Sequence, residues 1–199
     1  VKSSLGSPSI LINNAGILAS HTILDTSDSY LRKIFDVNVL SNWYTAKAFL
    51  PSMISANKGH IITIASTASY IGVAGLADYT ASKAAILSFH EALRSELKQH
   101  YKAPNVLTTS IHPLWVRTPL LGPVEQELER QGSAILEPED VADKVVGAVL
   151  SAKGGQVFLP SDIGKLSSLR GLPNWLQERV REGVGMTIRA SVVKDKDQV

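Results

Sequence analysis

Cysteine is absent from the chain. That excludes disulfides and thiolate metal sites, and it is compatible with a reducing compartment without establishing one. Long apolar runs are absent too: nothing approaches the roughly 20 residues that a membrane-spanning helix needs. The chain starts at Val1 rather than a methionine, and nothing resembling a secretory signal comes after it; it therefore reads as a piece of something longer. A surplus of one charge is also missing. With 20 Lys and Arg against 18 Asp and Glu the net charge is +2, too small to argue for a nucleic-acid partner, and no dense basic patch is interleaved with aromatics, so none is expected. Internal repeats and low-complexity segments are lacking. What remains, 44% hydrophobic and 19% charged residues over 199 positions, is the make-up of an ordinary soluble domain.

Short apolar runs alternate with helical patterns along this domain. Residues 9–12, SILI, form an all-apolar run stopped by Asn13-Asn14-Ala15-Gly16, which reads as a strand buried on both faces. The segment before it looks like a helix end stopped at Gly6. From Asp28 to about Asn57 the pattern is helical, with Leu31, Ile34, Phe35, Asn38, Trp43 and Ala46 as inward positions and Pro51 expected to kink the later part. Residues 60–65 give the next buried strand, with Ser66 just past its end. Residues 78–100 form a long helix, 105–111 a third strand, and 112–119 a loop holding Pro113 and Pro119. The stretch 120–136 reads as a lid. A helix opens at Glu137-Pro138-Glu139-Asp140, where proline and acidic residues suit the first turn, and 156–159 is a fourth strand. This alternation predicts an α/β fold, a parallel sheet with helices on both faces. Beyond Pro160 it stops, so the domain is taken as 1–160 and the C-terminal extension as 161–199. There Leu172, Trp175, Leu176 and Val180 recur at helical spacing, either docking on the domain or lying on a membrane surface. The final eight residues read as a polar tail.

One stretch carries chemistry. Tyr79 and Lys83 are four residues apart on a predicted helix, so they share a face. A phenol has a pKa of about 10, and a fixed ammonium nearby draws it toward the working range. Ser66, thirteen residues upstream of Tyr79, lies at the carboxyl end of a strand, where open parallel sheets bind ligands, and its hydroxyl can hold a substrate oxygen. The three together suit proton transfer to or from an alcohol or carbonyl. A Tyr-x-x-x-Lys pair alone arises by chance in about three such chains in ten, so it needs independent support. Asn38 is a polar residue between two valines on an apolar face; taken alone, it reads as readily as a core asparagine bonding backbone as it does as a site residue. His90 and His100 lack a metal-like partner at the fourth position and read as packing or surface residues, and no metal site is expected.

The support comes from order and spacing. Asn13-Asn14-Ala15-Gly16, then Asn38, Ser66, Tyr79-x-x-x-Lys83 and the Pro113…Thr118 loop resemble the classical short-chain dehydrogenase/reductases, from their central strand to the C-terminus. The resemblance implies a Rossmann-type doubly wound parallel sheet lacking its N-terminal strands, with NAD or NADP as cofactor. It implies Tyr79 as general acid/base, Lys83 as the group that lowers its pKa and meets the nicotinamide ribose, and Ser66 as the holder of the substrate oxygen. Asn38 would hold a water in the proton relay behind Lys83. Asn14, Ala15, Gly16 and Pro113 would shape the cofactor pocket, with Val116 and Thr118 at the carboxamide.

This sequence departs from the family at Leu114, where glycine is usual, and in having no Gly-rich turn ahead of the Asn-Asn-Ala-Gly stop. About 80 residues of a complete member are unmatched, at roughly 30 per βα-type unit. The isolated chain is therefore expected to bind neither cofactor usefully and to associate through its first strand. His112-Pro113-x-Trp115 and Leu172-Pro173-Asn174-Trp175 look most like the retinol and hydroxysteroid dehydrogenase branch, which implies a lipophilic alcohol. The expected partners are a small-molecule substrate and a second copy paired through the two long helices, with peripheral membrane contact through the C-terminal helix. The expected location is the cytoplasm or the cytosolic face of a membrane. A related isomerase or lyase, or an inert binding module, are the rival readings.

Overall fold

The apolar runs pair side by side, all in one direction. The computed structural model describes residues 4, 6–122 and 124–184; the expected helix end before Gly6 falls largely, and the polar tail wholly, outside them. Strands β1 (Ile10–Asn13), β2 (Gly59–Ile64), β3 (Val106–Pro113) and β6 (Gly155–Leu159) form one parallel sheet in the order β1-β2-β3-β6. The register runs Asn13↔Thr63, Ile64↔Ile111 and Pro113↔Leu159, so the carboxyl ends of all four strands emerge along one edge. Two short strands, β4 (Trp115–Val116) and β5 (Ile135–Leu136), pair beyond that edge.

Helices cover both faces, as parallel strands require. On one face α2 (Ser41–Ala56) and α3 (Ala77–Gln99) enclose a cluster of Leu50, Met53, Ile61, Leu93, Leu97 and Val106. On the other, α5 (Pro138–Ser151) lays Val141, Val145 and Val149 against Ile62, Ile111 and Leu159. Its start is fixed as the sequence indicates, by proline in the first turn and a reciprocal cap between Glu137 and Asp140. The crossing into β6 is close: a Cβ on Gly154 would lie 2.8 Å from the Thr108 carbonyl oxygen, a distance only glycine tolerates.

Two expectations are corrected. First, β1 is buried on one face, not two. Leu11 and Asn13 meet α2, through the α2 cluster and a Thr45 hydrogen bond, whereas Ile10 and Ile12 are 44% and 47% exposed. The strand stands at the sheet's edge with a helix on one side only. Second, the helix over 28–57 is not uniform. α1 (Asp28–Phe35), capped by Ser27, passes through a π turn at Asp36–Leu40 before α2 begins, and α2 continues through Pro51 to Ala56. The extra residue of a π turn shifts the phase of the downstream helix. The buried stripe therefore runs Ile34, Asn38, Asn42, Ala46, Leu50, and Trp43 is 50% exposed, tilted against Phe89 of α3 at 4.9 Å. Leu31 is also out, at 41% exposure, because Tyr30 takes the inward place.

The stretch after β3 folds over the strand ends. A turn at Pro119–Leu121 and α4 (Glu125–Arg130) bury Leu121, Val124 and Leu128 in a cluster with Tyr79, Leu76 and Ile34. Arg117 ties this cover down, reaching Glu125 at 2.5 Å, Glu137 at 3.2 Å and Glu129 at 3.4 Å. After β6, a 3₁₀ stretch, Ser161–Gly171, buries Leu169 in the same cluster, and α6 (Asn174–Val184) adds Val180 to it. Trp175 of α6 stays exposed beneath Arg179. Among the described residues no helix is long and apolar enough to cross a membrane.

Candidate active site

Helix α3 places the first two groups. Its inward stripe runs Tyr79, Lys83, Ile86, His90, Leu93, Leu97, a three-four spacing that keeps every member on the sheet side. Tyr79 and Lys83 thus sit at the helix start, over the strand ends, for the same reason that Leu93 and Leu97 sit in the core. Ser66 follows β2 in extended backbone and caps a 3₁₀ turn, Thr67–Ser69, by accepting from Ala68 N at 3.1 Å. Its side chain lines the same cavity as the Tyr79 phenol and is near enough to act on it.

These side chains open onto one cavity of about 640 Å³, within the usual range for a small-molecule site. Asn14, Ala15, Gly16, Ser66, Tyr79, Lys83, Pro113, Val116 and Thr118 all line it. Leu114 lines it as well, so the departure from the family pattern puts an apolar side chain on the wall. The remaining wall is apolar, with Leu18, Trp115, Leu120, Leu121, Val141 and Val145. At Gly16 the turn after β1 comes close to the cation: a Cβ there would stand 3.7 Å from Lys83 Nζ.

Asn38 alone among the expected residues is off the lining. It is 1% exposed, and its amide is committed to protein groups: Oδ1 accepts from Ile17 N at 2.8 Å, while Nδ2 donates to Ile17 O and to Ser82 Oγ, each at 3.0 Å. Its backbone carbonyl accepts from Asn42 Nδ2 at 3.0 Å. Asn38 pins the loop that continues Asn14-Ala15-Gly16 to the π turn, and Ser82 extends the link by donating to Tyr79 O at 2.7 Å.

Burial dominates the electrostatics. It pushes the Tyr79 phenol up to about 12, with the Ser66 hydroxyl acting the other way, and pushes the Lys83 ammonium down to about 8. Lys83 Nζ donates to Ile64 O at 3.0 Å and stands 5.7 Å from the Tyr79 ring centre. For the phenol the largest influence is loss of water, which raises its pKa.

Sequence reasoning missed Ser82, which lies at the third position after Tyr79 and looks like any small helix residue. It also missed His112, which is wholly buried, with Nδ1 3.1 Å from Ser66 O and Nε2 2.9 Å from Ser110 Oγ. The only available sign was a histidine two residues after a serine in a strand that continues past Ile111. Among the described residues no cluster of three His, Asp or Glu has metal-binding geometry.

Comparison with known proteins gives the same outline. Residues 1–129 match the family described as short chain dehydrogenase. Estradiol 17-beta-dehydrogenase 11 from Macaca fascicularis is 38% identical over 169 residues, 85% of this chain and 54% of the relative. Epidermal retinol dehydrogenase 2 from Mus musculus is 40% identical over 150 residues, 75% of this chain and 48% of the relative. The chain thus spans about half the length of these curated relatives. Among solved structures, 4-hydroxyisoleucine dehydrogenase complexed with NADH and succinate superposes with a TM-score of 0.66 at 25% identity, covering 76% of this chain and 66% of that one.

Proposed function

The chain belongs to the short-chain dehydrogenase family, and from that premise we propose that the whole protein is an NAD(P)-dependent oxidoreductase interconverting a lipophilic alcohol and its carbonyl. The observation that carries the reading is the convergence of Tyr79, Ser66 and Lys83 on one apolar-walled cavity at the strand ends. The residues fit a nicotinamide–ribose group: Gly16 leaves space beside Lys83 Nζ that a side chain would narrow, and two of the three ammonium hydrogens remain after the Ile64 bond. Asn14, Ala15, Gly16, Lys83, Pro113, Val116 and Thr118 would hold it. When bound, the nicotinamide ring accepts a hydride from the carbinol carbon or returns one to the carbonyl carbon.

The chain's own residues handle the proton. Ser66 accepts from Ala68 N, which leaves its hydroxyl hydrogen for the substrate oxygen or the phenol. Tyr79, neutral with its pKa near 12, carries the proton a forming alkoxide needs in the reducing direction and must be relieved of it in the oxidising direction. Lys83 is the cation placed to favour the phenolate once charge develops, in a site where burial makes each charge count more. The turn at Pro119–Leu121 and α4 lie over the strand ends where that exchange would occur. The names of the steroid and retinol relatives and the apolar wall support a lipophilic substrate; the NADH of the solved neighbour supports the cofactor class.

The test is turnover of estradiol and retinol by the protein that carries this chain, with NAD and with NADP, read from nicotinamide absorbance. Activity that survives Tyr79→Phe within a few-fold refutes the assignment. We also propose that two copies pair through the α1–α2 and α3 helices, because Leu31, Leu40, Trp43 and Tyr44 stand exposed there beside Phe89.

A further inference from the structure

His112 is fully buried among aromatic rings. Its ring packs against Phe158, stacked at 4.9 Å, and Tyr70, tilted at 5.2 Å, which are themselves 5.6 Å apart, and it has no exposed surface. An imidazole there is costly unless both nitrogens are paired, and both are: Nδ1 with the Ser66 carbonyl at 3.1 Å, Nε2 with the Ser110 hydroxyl at 2.9 Å. A carbonyl oxygen only accepts, so Nδ1 carries the hydrogen. The neutral ring then has a bare Nε2, which accepts from Ser110 Oγ, its neighbour on the same face of β3.

The residue that receives this bond is the one whose side chain faces Tyr79. Ser66 has extended backbone, and its carbonyl also accepts from Ser69 N at 3.0 Å. Two donors on its carbonyl and Ala68 N on its Oγ restrain both the peptide and the side chain of Ser66. We propose that His112 is a positioning residue of the reaction assigned above: its Nδ1–H holds the Ser66 peptide so that the Ser66 hydroxyl is aimed at the Tyr79 phenol and the substrate oxygen. This rests on the proposed function for its catalytic part alone; the bond itself does not. Burial lowers the imidazole pKa to about 4, so the ring is uncharged at neutral pH, and the Ser66 carbonyl selects its tautomer. The ring cannot swing away, since Tyr70 is tied in turn to Gln156 Oε1 at 3.0 Å and Phe158 is the register partner of His112 in β6.

Two substitutions separate the nitrogens. In His112→Asn the amide nitrogen stands near the Nδ1 position and keeps a donor for Ser66 O. In His112→Gln it reaches the Nε2 position and leaves Ser66 O without that donor. Each variant loses one hydrogen bond, so their melting temperatures should fall alike. On the protein carrying this chain, His112→Gln is expected to lose about tenfold to a hundredfold in kcat with KM within a few-fold, the cost of a small misplacement at a reacting group. His112→Asn is expected to recover most of that loss. Equal losses in both variants, or a loss in neither, overturn the proposal. A second measurement needs no substrate: two-bond proton–nitrogen correlation spectra of the nitrogen-15-labelled protein show which ring nitrogen of His112 is protonated. Hydrogen on Nδ1 supports the proposal; hydrogen on Nε2 overturns it. If the unaltered protein turns over no alcohol, the functional reading fails while this spectrum still decides the bond.

Discussion

Replacing Asn38 by leucine probes the least conspicuous part of the site. Leucine matches asparagine closely enough in size to avoid a cavity, so the cost comes from hydrogen bonds. The change strands Ile17 N–H and C=O, each now held by the Asn38 amide, and removes one bond to Ser82. A buried polar group left unpaired costs about 1–3 kcal/mol. Ile17 is half-buried, which brings each backbone group to roughly 1–2 kcal/mol. Ser82 keeps its bond to Tyr79 O and adds little. The apolar gain of leucine offsets about 1 kcal/mol, leaving a loss of about 1–3 kcal/mol. In urea, with a slope of about 2 kcal/mol per molar, the midpoint should fall by about 0.5–1.5 M. The slope itself should not change. A midpoint within about 0.3 M of the unaltered protein would refute the reasoning, because the loop after Gly16 would then be held by something other than this amide.

Other outcomes rest on neighbouring features. Tyr79→Phe should leave unfolding nearly unchanged and lower turnover about 10²–10⁴-fold; stopped or steady-state kinetics measure it. His90 and His112 both have pKa values lowered by burial to about 4, so the folded state binds protons less readily than the unfolded chain. Stability from these groups is complete above about pH 6.5 and is lost as pH falls toward 4, by up to about 3 kcal/mol each; urea midpoints at pH 7 and pH 4.5 test it, and His112→Asn should flatten the fall. Gly154→Ala should destabilise strongly, since its Cβ meets backbone at 2.8 Å; a melting temperature within a degree of the unaltered protein contradicts that geometry. Trp43→Glu should shift sedimentation toward the monomer without altering the far-ultraviolet spectrum.

Where the sequence was legible, one periodicity sufficed. The four sheet strands, α3 and α5 fall within a residue or two of the spans read from apolar runs and from the Glu137-Pro138 start. The residues named around the cavity meet there because parallel strands end on one edge. What escaped depends on partners distant in the chain or on a broken period. The π turn at Asp36–Leu40 carries no compositional mark, and it alone moves Trp43 off the inward stripe. β1 reads as fully buried because an apolar run does not reveal which side a helix will cover. His112 and Ser66 are 46 positions apart, and nothing local in either segment announces the other. The tyrosine–lysine pair shows its spacing in the sequence, but not that burial would govern both groups.

The cover over the cavity hangs on an unequal balance of charge. One guanidinium, exposed to solvent, gathers three carboxylates from α4 and from the cap of α5. Its own proton is held more firmly for their presence. Removing any single glutamate leaves two contacts and less crowding. Removing Arg117 leaves three like charges facing one another across the joint that closes the site, a reversal from attraction to repulsion. The acidic side therefore has spare members and the basic side has none. Because the knot lies in water, raising salt should weaken attraction in the one case and relieve repulsion in the other. The same salt titration would loosen the cover of the unaltered protein and settle that of an Arg117→Ala variant.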